Sequence, residues 1–276
     1  MPTSAPALLA ALEDRLRSEP RVLVAFSGGA DSALVAAVAA RLHGAGAVAV
    51  TAVSASLPTA ERQAAREFTR RNGIAHLEVA TDEFSRPEYL ANDGDRCYHC
   101  KSALLDALAP LAALSGAAIA VGTNLDDLGD HRPGQRAAAE RGVITPLVDA
   151  GLDKDAVRAV SAHLGLITAT KPASACLSSR VAYGDPVTPE LLARIERGEE
   201  AVRALGFPVC RVRAHAGGTV ARLELPAAEL DRAGGVRDAL DTALRAAGFE
   251  FCALDLQGFG SGRMNVLLGM PSATAR

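Results

Sequence analysis

The chain has 276 residues, of which 49% are hydrophobic and 22% are charged, and its formal net charge is −3. This composition is that of a globular protein and excludes a disordered, collagen-like or cysteine-rich chain. The slightly acidic balance provides no overall positive field for nucleic acid, and a total absence of Trp leaves few side chains for base stacking. We therefore expect no nucleic-acid partner.

Nothing in the sequence predicts export or membrane insertion. The N-terminus has no positively charged region, and its first charge is Glu13. Two uncharged stretches, 42–60 and 107–125, contain glycines and a proline and are typical of a helix end, a turn and a buried strand. We predict a cytoplasmic protein with no membrane partner. Its five cysteines would then be reduced, so metal binding or catalysis explains them better than disulfides.

The first part of the chain alternates predicted helices with short apolar runs that are typical of buried strands. Helices are predicted at 4–18, 33–42, 59–72, 101–114 and 153–164, and strands at 21–26, 47–53, 74–79 and 117–121. Strands that alternate with helices predict an α/β fold with a parallel sheet covered on both faces.

A second, smaller α/β domain is predicted after a proline-containing segment. Its helices are expected at 188–205 and 233–247, and its strands at 208–214, 219–225 and 251–256. We therefore divide the chain into a parallel-sheet domain at 1–170, a linker at 171–187 and a C-terminal domain at 188–276.

The turn between the first strand and the second helix has the sequence SGGADS. Gly28 and Gly29 let the backbone wrap closely around an anion, and the helix that follows offers unpaired N–H groups. Ser27 and Ser32 add hydroxyl donors. Asp31 would repel a bare phosphate, but it fits as a ligand of Mg²⁺ that bridges phosphates.

This hexapeptide is not a Walker A motif, because no lysine follows it. It matches SGGxDS, the pyrophosphatase loop (PP-loop) of enzymes that cleave ATP into AMP and pyrophosphate. Such enzymes adenylate an oxygen so that a nitrogen or sulfur nucleophile can displace AMP. Gly122 and Thr123 follow the fourth strand and should lie at the same edge of the sheet, in contact with the nucleotide.

Three of the five cysteines have surroundings that favour the thiolate. Cys97 and Cys100 form a C-x-x-C motif placed just before a predicted helix, whose dipole stabilises thiolates. Cys176 lies between two basic residues of the predicted linker. Cys210 and Cys252 lie in apolar strand patterns and are expected to be buried small hydrophobic residues.

The residues alone leave the role of the three reactive cysteines open. A structural zinc site needs four ligands, and the fourth would have to be His99 or His131. An iron–sulfur cluster with three cysteine ligands leaves one iron open to an exogenous group. A thioredoxin-like redox pair is the third possibility, although the motif does not open the first helix. Combined with an ATP loop, sulfur delivery to an adenylated substrate is the coherent interpretation.

With these motifs the chain resembles the LarE sulfur transferases, PP-loop enzymes that help build the nickel-pincer nucleotide of lactate racemase. The resemblance runs nearly from end to end. It is carried by SGGADS (27–32), RCYHCK (96–101), GTNLDDLGDHRPG (122–134), KPASACLSSRVAYG (171–184), RVRAH (211–215) and LDLQGFGSGRMN (254–265).

The resemblance implies that the chain adenylates the carboxylates of a pyridinium dicarboxylate mononucleotide and converts them to thiocarboxylates. One branch of the family has a lone cysteine matching Cys176, which gives up its own sulfur and becomes dehydroalanine. In the other branch, three cysteines hold a [4Fe-4S] cluster that carries sulfide. Because Cys97 and Cys100 accompany Cys176 here, the cluster branch is favoured.

The resemblance also implies a homohexamer and a substrate whose phosphate and carboxylates need cationic partners. Arg180, Arg211 and Arg213 are the candidates, since guanidinium groups suit both kinds of anion. Family members commonly have His-Gly after Arg-x-Arg, whereas here Ala216 follows His215, which changes the loop at that point.

The sequence is also compatible with three other functions. An amide-forming ligase of the NAD-synthetase kind would use the same loop and need no thiol. A tRNA thiolase would share the loop and the cysteines but would need a basic RNA-binding face. A nucleotide-sensing protein with a structural metal would bind ATP without releasing pyrophosphate.

Overall fold

A computed structural model describes residues 4–129, 133–172, 174–260 and 263–269 of the chain. In chain order, the first elements are α1 (Ala5–Arg17), β1 (Val22–Ala25), α2 (Ala30–His43), β2 (Ala47–Val53), α3 (Thr59–Arg71), β3 (Ala75–Ala80), α4 (Pro87–Leu90), α5 (Arg96–Ser115), β4 (Ala118–Ala120), α6 (Pro133–Glu140), α7 (Pro146–Asp149) and α8 (Lys154–His163). The later elements are α9 (Pro189–Ala204), β5 (Arg211–His215), β6 (Val220–Glu224), α10 (Leu230–Gly235), α11 (Arg237–Ala246) and β7 (Phe251–Leu254). These elements confirm the predicted α/β class. Within the described ranges, no helix is long and apolar enough to cross a membrane.

The chain divides into two compact units. The first contains the residues up to Glu83 together with Cys97–Ser174, and the second contains Phe84–Arg96 together with the residues from Ala175 onward. The short segment before the C-x-x-C motif belongs with the C-terminal part of the chain, which the sequence did not predict. The functional division of the chain at 171–187 stays a prediction.

The first unit is built on a four-stranded parallel sheet with the order β3-β2-β1-β4. In the central strand β1, Val22 and Val24 join one hydrophobic core with α1, α2 and α8. Leu23 and Ala25 join the opposite core with Leu108 of α5. Burial of successive residues on opposite faces explains why β1 is continuously apolar. Because β1 and β4 are parallel neighbours, their carboxyl ends lie side by side, and the segments that follow them start close together.

The second unit contains a three-stranded mixed sheet with the order β5-β6-β7. β5 and β6 are antiparallel, and β6 and β7 are parallel. α9 packs on β5, and α11 packs on α9 and β7. The smaller α/β unit that the sequence predicted is therefore present.

Two helices differ from their predicted bounds for physical reasons. α5 begins at Arg96 instead of residue 101, because Arg96 is buried and fixed by hydrogen bonds to its neighbours. The single helix predicted at 233–247 is divided at Val236, whose φ of −118° is not helical. Gly234 and Gly235 lie just before the break, and glycine weakens a helix.

Candidate functional site

The PP-loop connects β1 to α2 and is held in shape by its own side chains. Gly28 has φ of +73°, a conformation that favours glycine. The hydroxyls of Ser27 and Ser32 lie 3.1 Å apart, and the Ser27 N–H donates to Ser32 Oγ at 3.3 Å. Ser32 Oγ is also 3.2 Å from the carbonyl oxygen of Gly29. These contacts fold the loop back over the first turn of α2.

The first turn of α2 is built to receive an anion. Its N-cap residue is Gly29, which offers no side chain to bond the first N–H groups, and the first helical hydrogen bond is donated by Ala33. The N–H groups before Ala33 and the positive end of the helix dipole therefore face the loop. This arrangement is the one that binds nucleotide phosphates in other proteins.

Asp31 is positioned by a residue in the segment that follows β4. Asn124 is fully buried and its Nδ2 donates to Asp31 Oδ1 at 2.9 Å. Asn124 is fixed in turn by Asp127, with two backbone-to-side-chain hydrogen bonds of 3.2 Å between them. One carboxylate oxygen of Asp31 is thus oriented, which suits the predicted role as a magnesium ligand. Asn124 directly follows the predicted pair Gly122 and Thr123, and the sequence did not predict its contact with Asp31.

Gly122 allows β4 and α2 to approach each other closely. A Cβ atom at Gly122 would lie 2.6 Å from the Ser32 nitrogen and 2.9 Å from the Asp31 carbonyl carbon. Both neighbours are backbone atoms and cannot turn aside. Gly122 therefore packs directly against the PP-loop helix, and Thr123, which is half-buried, follows it. This close approach places Gly122 beside the PP-loop, and nucleotide binding by Gly122 and Thr123 stays a prediction.

We expect Gly122→Ala to lower the free energy of unfolding by about 1–3 kcal/mol, since the added methyl group must push two backbone segments apart. ATP binding should weaken with it. Gly234→Ala is the matched control, because a Cβ there meets no atom within 4 Å. Denaturant unfolding and equilibrium ATP binding would measure both effects. Wild-type stability and ATP affinity in Gly122→Ala would show that the close approach is unimportant.

A lysine from far along the chain reaches the PP-loop. Lys171 Nζ donates to the carbonyl oxygen of Gly28 at 2.9 Å and to Glu61 Oε2 at 2.6 Å. In the sequence, Lys171 is one of only three lysines among 29 Lys and Arg residues, and this rarity singles it out. The sequence predicted only that it lies beside Cys176, and did not predict its contact with the PP-loop.

The C-x-x-C motif lies inside the first turn of α5 instead of before the helix, which corrects the predicted placement. Cys97 is exposed and Cys100 is half-buried, three residues apart on one helical turn. A helix N-terminus favours thiolates, so both are suited to bind a metal. Gly134 lies against this turn, its would-be Cβ 3.3 Å from the carbonyl oxygen of Cys97. Among the described residues, no group of three or more His, Cys, Asp or Glu is gathered as a metal site. His131 lies outside those residues.

The loop around Cys176 is fixed through its backbone carbonyls. Arg180 Nη1 donates to the carbonyl oxygens of Ala175 at 2.6 Å and Cys176 at 2.9 Å. Ser179 Oγ donates to the Cys176 carbonyl at 2.7 Å. The Cys176 side chain itself is half-buried. The backbone of this cysteine is therefore held while its sulfur stays partly accessible.

The three arginines predicted to bind substrate have different surroundings. Arg180 and Arg213 are buried, and each forms an ion pair at 2.9 Å, with Glu199 and Glu224 respectively. Arg211 instead donates to the carbonyl oxygen of its neighbour at 2.8 Å and lies over an aromatic ring. Burial, with a smaller effect of Arg180, lowers the pKa of Arg211. Substrate binding by these residues stays a prediction, and Arg211 has the surroundings that suit it best.

A segment that sequence analysis missed holds the Cys176 loop from the other side. We call Tyr89, Asn92 and Arg96 the clamp; all three are buried. The Tyr89 hydroxyl is 2.6 Å from Ser178 Oγ, and Arg96 Nη1 donates to the Ser178 carbonyl at 2.9 Å. Asn92 Nδ2 donates to the carbonyl of Ala182 at 2.7 Å. No pattern in the sequence indicates these contacts.

The remaining two cysteines are unsuited to nucleophilic chemistry. Cys210 is fully buried, and burial raises its pKa to about 11. Burial likewise raises the pKa of Cys252 to about 11, although its side chain is half-buried. Both thiols are therefore protonated at neutral pH. Cys252 nevertheless offers a matched control for substitutions at Cys176.

Comparisons with known proteins identify the family to which the chain belongs. Residues 4–109, which include the PP-loop, match the family described as asparagine synthase. An uncharacterized protein of Synechocystis sp. is 44% identical over 90% of this chain and 93% of its own length. The pyridinium-3,5-bisthiocarboxylic acid mononucleotide synthase of Lactiplantibacillus plantarum is 36% identical over 95% of this chain and 94% of its own. An uncharacterized protein of Methanocaldococcus jannaschii is 24% identical over 73% of this chain and 77% of its own length. With a PP-loop held as an anion site and this near-complete coverage, the chain belongs to the LarE family of ATP-dependent sulfur transferases.

Proposed function

We propose that this enzyme adenylates the carboxylates of a pyridinium dicarboxylate mononucleotide and converts them to thiocarboxylates for the nickel-pincer cofactor of lactate racemase. The observation that carries the proposal is the 36% identity over 95% of the chain to a synthase whose name states the bisthiocarboxylic product. We further propose a cytoplasmic homohexamer, as in the family that the sequence resembles.

The first step of the proposed reaction makes the acid electrophilic. A substrate carboxylate oxygen attacks the α-phosphorus of ATP, and pyrophosphate leaves with the bonding electrons. The N–H groups of Gly29–Ser32 and the two serine hydroxyls would hold the phosphates. Asp31, oriented by Asn124, would hold Mg²⁺, which supplies charge neutralisation between phosphate oxygens. Gly122 and Thr123 would border the nucleotide.

The second step replaces oxygen by sulfur. A sulfur nucleophile held near residue 176 attacks the acyl carbon, and AMP leaves with the electron pair of the carbon–oxygen bond. The adenylate is needed because a carboxylate does not expel oxide. Arg211 would neutralise a phosphate or carboxylate of the substrate, since within the described ranges its guanidinium has no ion pair like those of Arg180 and Arg213.

We propose that Cys97, Cys100 and Cys176 hold a [4Fe-4S] cluster as sulfur carrier. When bound with three cysteine ligands, such a cluster supplies one iron open to an exogenous sulfide. The donor set fits, because the chain offers three thiols and two of them lie on one turn at the N-terminus of α5. Arg180 already fixes the backbone around Cys176, so binding of a cluster would cost this loop little conformational entropy.

The test of the sulfur chemistry compares Cys176→Ala with Cys252→Ala. We expect Cys176→Ala to lose sulfur transfer and to keep substrate-dependent pyrophosphate release, because the PP-loop is untouched. Cys252→Ala should keep both activities. Amide formation from ammonia that is equal in the wild type and in Cys176→Ala would favour an amide-forming ligase. Failure of the wild type to release pyrophosphate would favour a nucleotide sensor.

The sulfur source is decided by purification without oxygen, with iron and sulfide measured per chain and the protein mass recorded before and after turnover. The proposal expects about four iron atoms per chain, the content of one [4Fe-4S] cluster, and an unchanged protein mass. It also expects Cys97→Ala and Cys100→Ala to lose iron. A protein mass reduced by one sulfur and two hydrogens would instead establish the sacrificial route through Cys176.

A further inference from the structure

The PP-loop of this chain lacks a cation of its own. The first turn of α2 carries Asp31, and Glu61 lies in the first turn of α3. The triphosphate of ATP would therefore meet two carboxylates beside the loop. A compensating positive charge has to come from another part of the chain or from a metal ion.

Lys171 places that charge at the loop. Its Nζ lies 2.9 Å from the carbonyl oxygen of Gly28 and 2.6 Å from Glu61 Oε2. A Cβ atom at Gly28 would lie 3.8 Å from the same Nζ, so the ammonium group rests directly on the glycine. The side chain is 21% exposed, so its charge is available to a ligand.

The backbone of this lysine is anchored independently of its side chain. Arg158 of α8 donates through Nη1 to the carbonyl oxygen of Ala169 at 2.9 Å, and through Nη2 to that of Lys171 at 3.4 Å. The Lys171 backbone N–H donates to Thr168 at 3.1 Å. The ammonium group can therefore change partner while the backbone stays in place.

We propose that Lys171 is the phosphate-binding cation of this PP-loop, and that Glu61 holds its ammonium group at the loop until the phosphates of ATP replace that carboxylate. A triphosphate carries several negative charges against one on Glu61, so the exchange favours the nucleotide. Lysine suits the role because its ammonium is a compact charge on a flexible stem. The inference rests on ATP binding by this family, not on the identity of the sulfur acceptor.

The experiment measures equilibrium binding of the non-hydrolysable analogue α,β-methylene ATP with Mg²⁺ to the full chain. We expect Lys171→Met to raise the Kd by about tenfold or more, the usual effect of losing a hydrogen bond to a charged group. Lys154→Met removes an exposed lysine of α8 and should leave the Kd unchanged. Lys171→Arg should recover much of the affinity, because it restores the charge.

Glu61→Gln separates the proposed exchange from a merely structural ion pair. We expect it to bind the analogue as tightly as the wild type or a few-fold more tightly, since the competing carboxylate is gone. Weakening equal to that of Lys171→Met would overturn the proposal, because it would mean that the pair only supports the loop. Wild-type affinity in Lys171→Met would also overturn it. Thermal unfolding of each variant checks folding, and Lys171→Gln replaces Lys171→Met if the latter does not fold.

This readout is independent of sulfur chemistry. If the enzyme fails to produce a thiocarboxylate while Lys171→Met weakens nucleotide binding, the proposed substrate is wrong and the role of Lys171 stands. If sulfur transfer occurs and Lys171→Met binds the analogue normally, the role of Lys171 alone is wrong.

Discussion

Glu199→Ala is expected to destabilise the second compact unit by about 3–5 kcal/mol, the cost of leaving a buried charge without its partner. Glu199 is 1% exposed and accepts from Arg180 Nε at 2.9 Å and from Arg203 Nη2 at 2.7 Å. Its Oε1 also accepts the backbone N–H of Val212 at 3.2 Å. One substitution therefore removes two ion pairs and a hydrogen bond to β5 together.

The same substitution should loosen the loop that carries Cys176. Arg180 has a second set of contacts, to the carbonyl oxygens of Ala175 and Cys176, and it is aligned for them by Glu199. We expect alkylation of Cys176 to become faster in Glu199→Ala than in the wild type. Sulfur transfer should fall more than pyrophosphate release, because the PP-loop lies in the other unit.

Asp241→Ala is the matched control for Glu199→Ala. It removes a carboxylate that pairs with Arg245 at 2.8 Å on the exposed face of α11. Such a pair contributes about 1 kcal/mol or less. Denaturant unfolding compares the two variants directly. If Glu199→Ala costs no more than Asp241→Ala, Glu199 does not hold the unit together. The double variant Glu199→Leu with Arg180→Met should recover stability, because no charge is left buried.

The PP-loop could be predicted from the sequence because its determinants are local. The apolar run before Ser27 forms a strand, Gly28 supplies the positive φ, and the helix follows at once. Gly122 was grouped with the loop by a general rule about parallel sheets. Its close approach to Ser32 supplies the atomic reason for that rule here.

The side-chain network could not be predicted, because its partners are far apart in sequence. Lys171 and Gly28 are separated by 143 positions, and Tyr89 and Ser178 by 89. No periodicity links residues at such distances. The same limit applies to the arginines. A guanidinium suits a substrate phosphate and a buried glutamate equally well, and only the fold shows that Arg180 faces Glu199.

The start of α5 illustrates a tertiary effect that overrides local preference. The predicted helix began at residue 101, and the Cys, Tyr and His residues just before it are weak helix formers. In the structure, Arg96 bonds to Asn92 and Ser178 and fixes the first turn. The C-x-x-C motif therefore acquires helical geometry from contacts made by the residue before it.

Asn92 is the residue of the clamp whose replacement should have the largest effect. It is fully buried and has φ of +57°. Its Nδ2 donates to the carbonyls of Ala182 at 2.7 Å and Asp185 at 3.0 Å, and its Oδ1 accepts from Arg96. The side chain thus satisfies three polar partners in the interior of the second unit. Asparagine also tolerates the left-handed backbone better than most residues.

We expect Asn92→Ala to destabilise the second unit by about 3 kcal/mol or more, because buried carbonyls lose their donor and alanine is strained at this φ. Asn92→Gly loses the same hydrogen bonds without the strain, so it should be about 1 kcal/mol less destabilised. Asn72→Ala, which removes one part-buried hydrogen bond made by an exposed side chain at the end of α3, should cost little. Denaturant unfolding measures the series.

If the clamp also positions the Cys176 loop for sulfur transfer, Asn92→Gly must alter that loop as well as the stability. Ala182 and Asp185 follow that loop in sequence, and Arg96 donates a hydrogen bond to the carbonyl oxygen of Ser178 within it. We expect Cys176 in Asn92→Gly to be alkylated faster and to transfer sulfur more slowly, with pyrophosphate release close to that of the wild type. Equal loss of both activities would mean that the clamp only stabilises the fold. Unchanged alkylation of Cys176 would show that the loop is held by Arg180 alone.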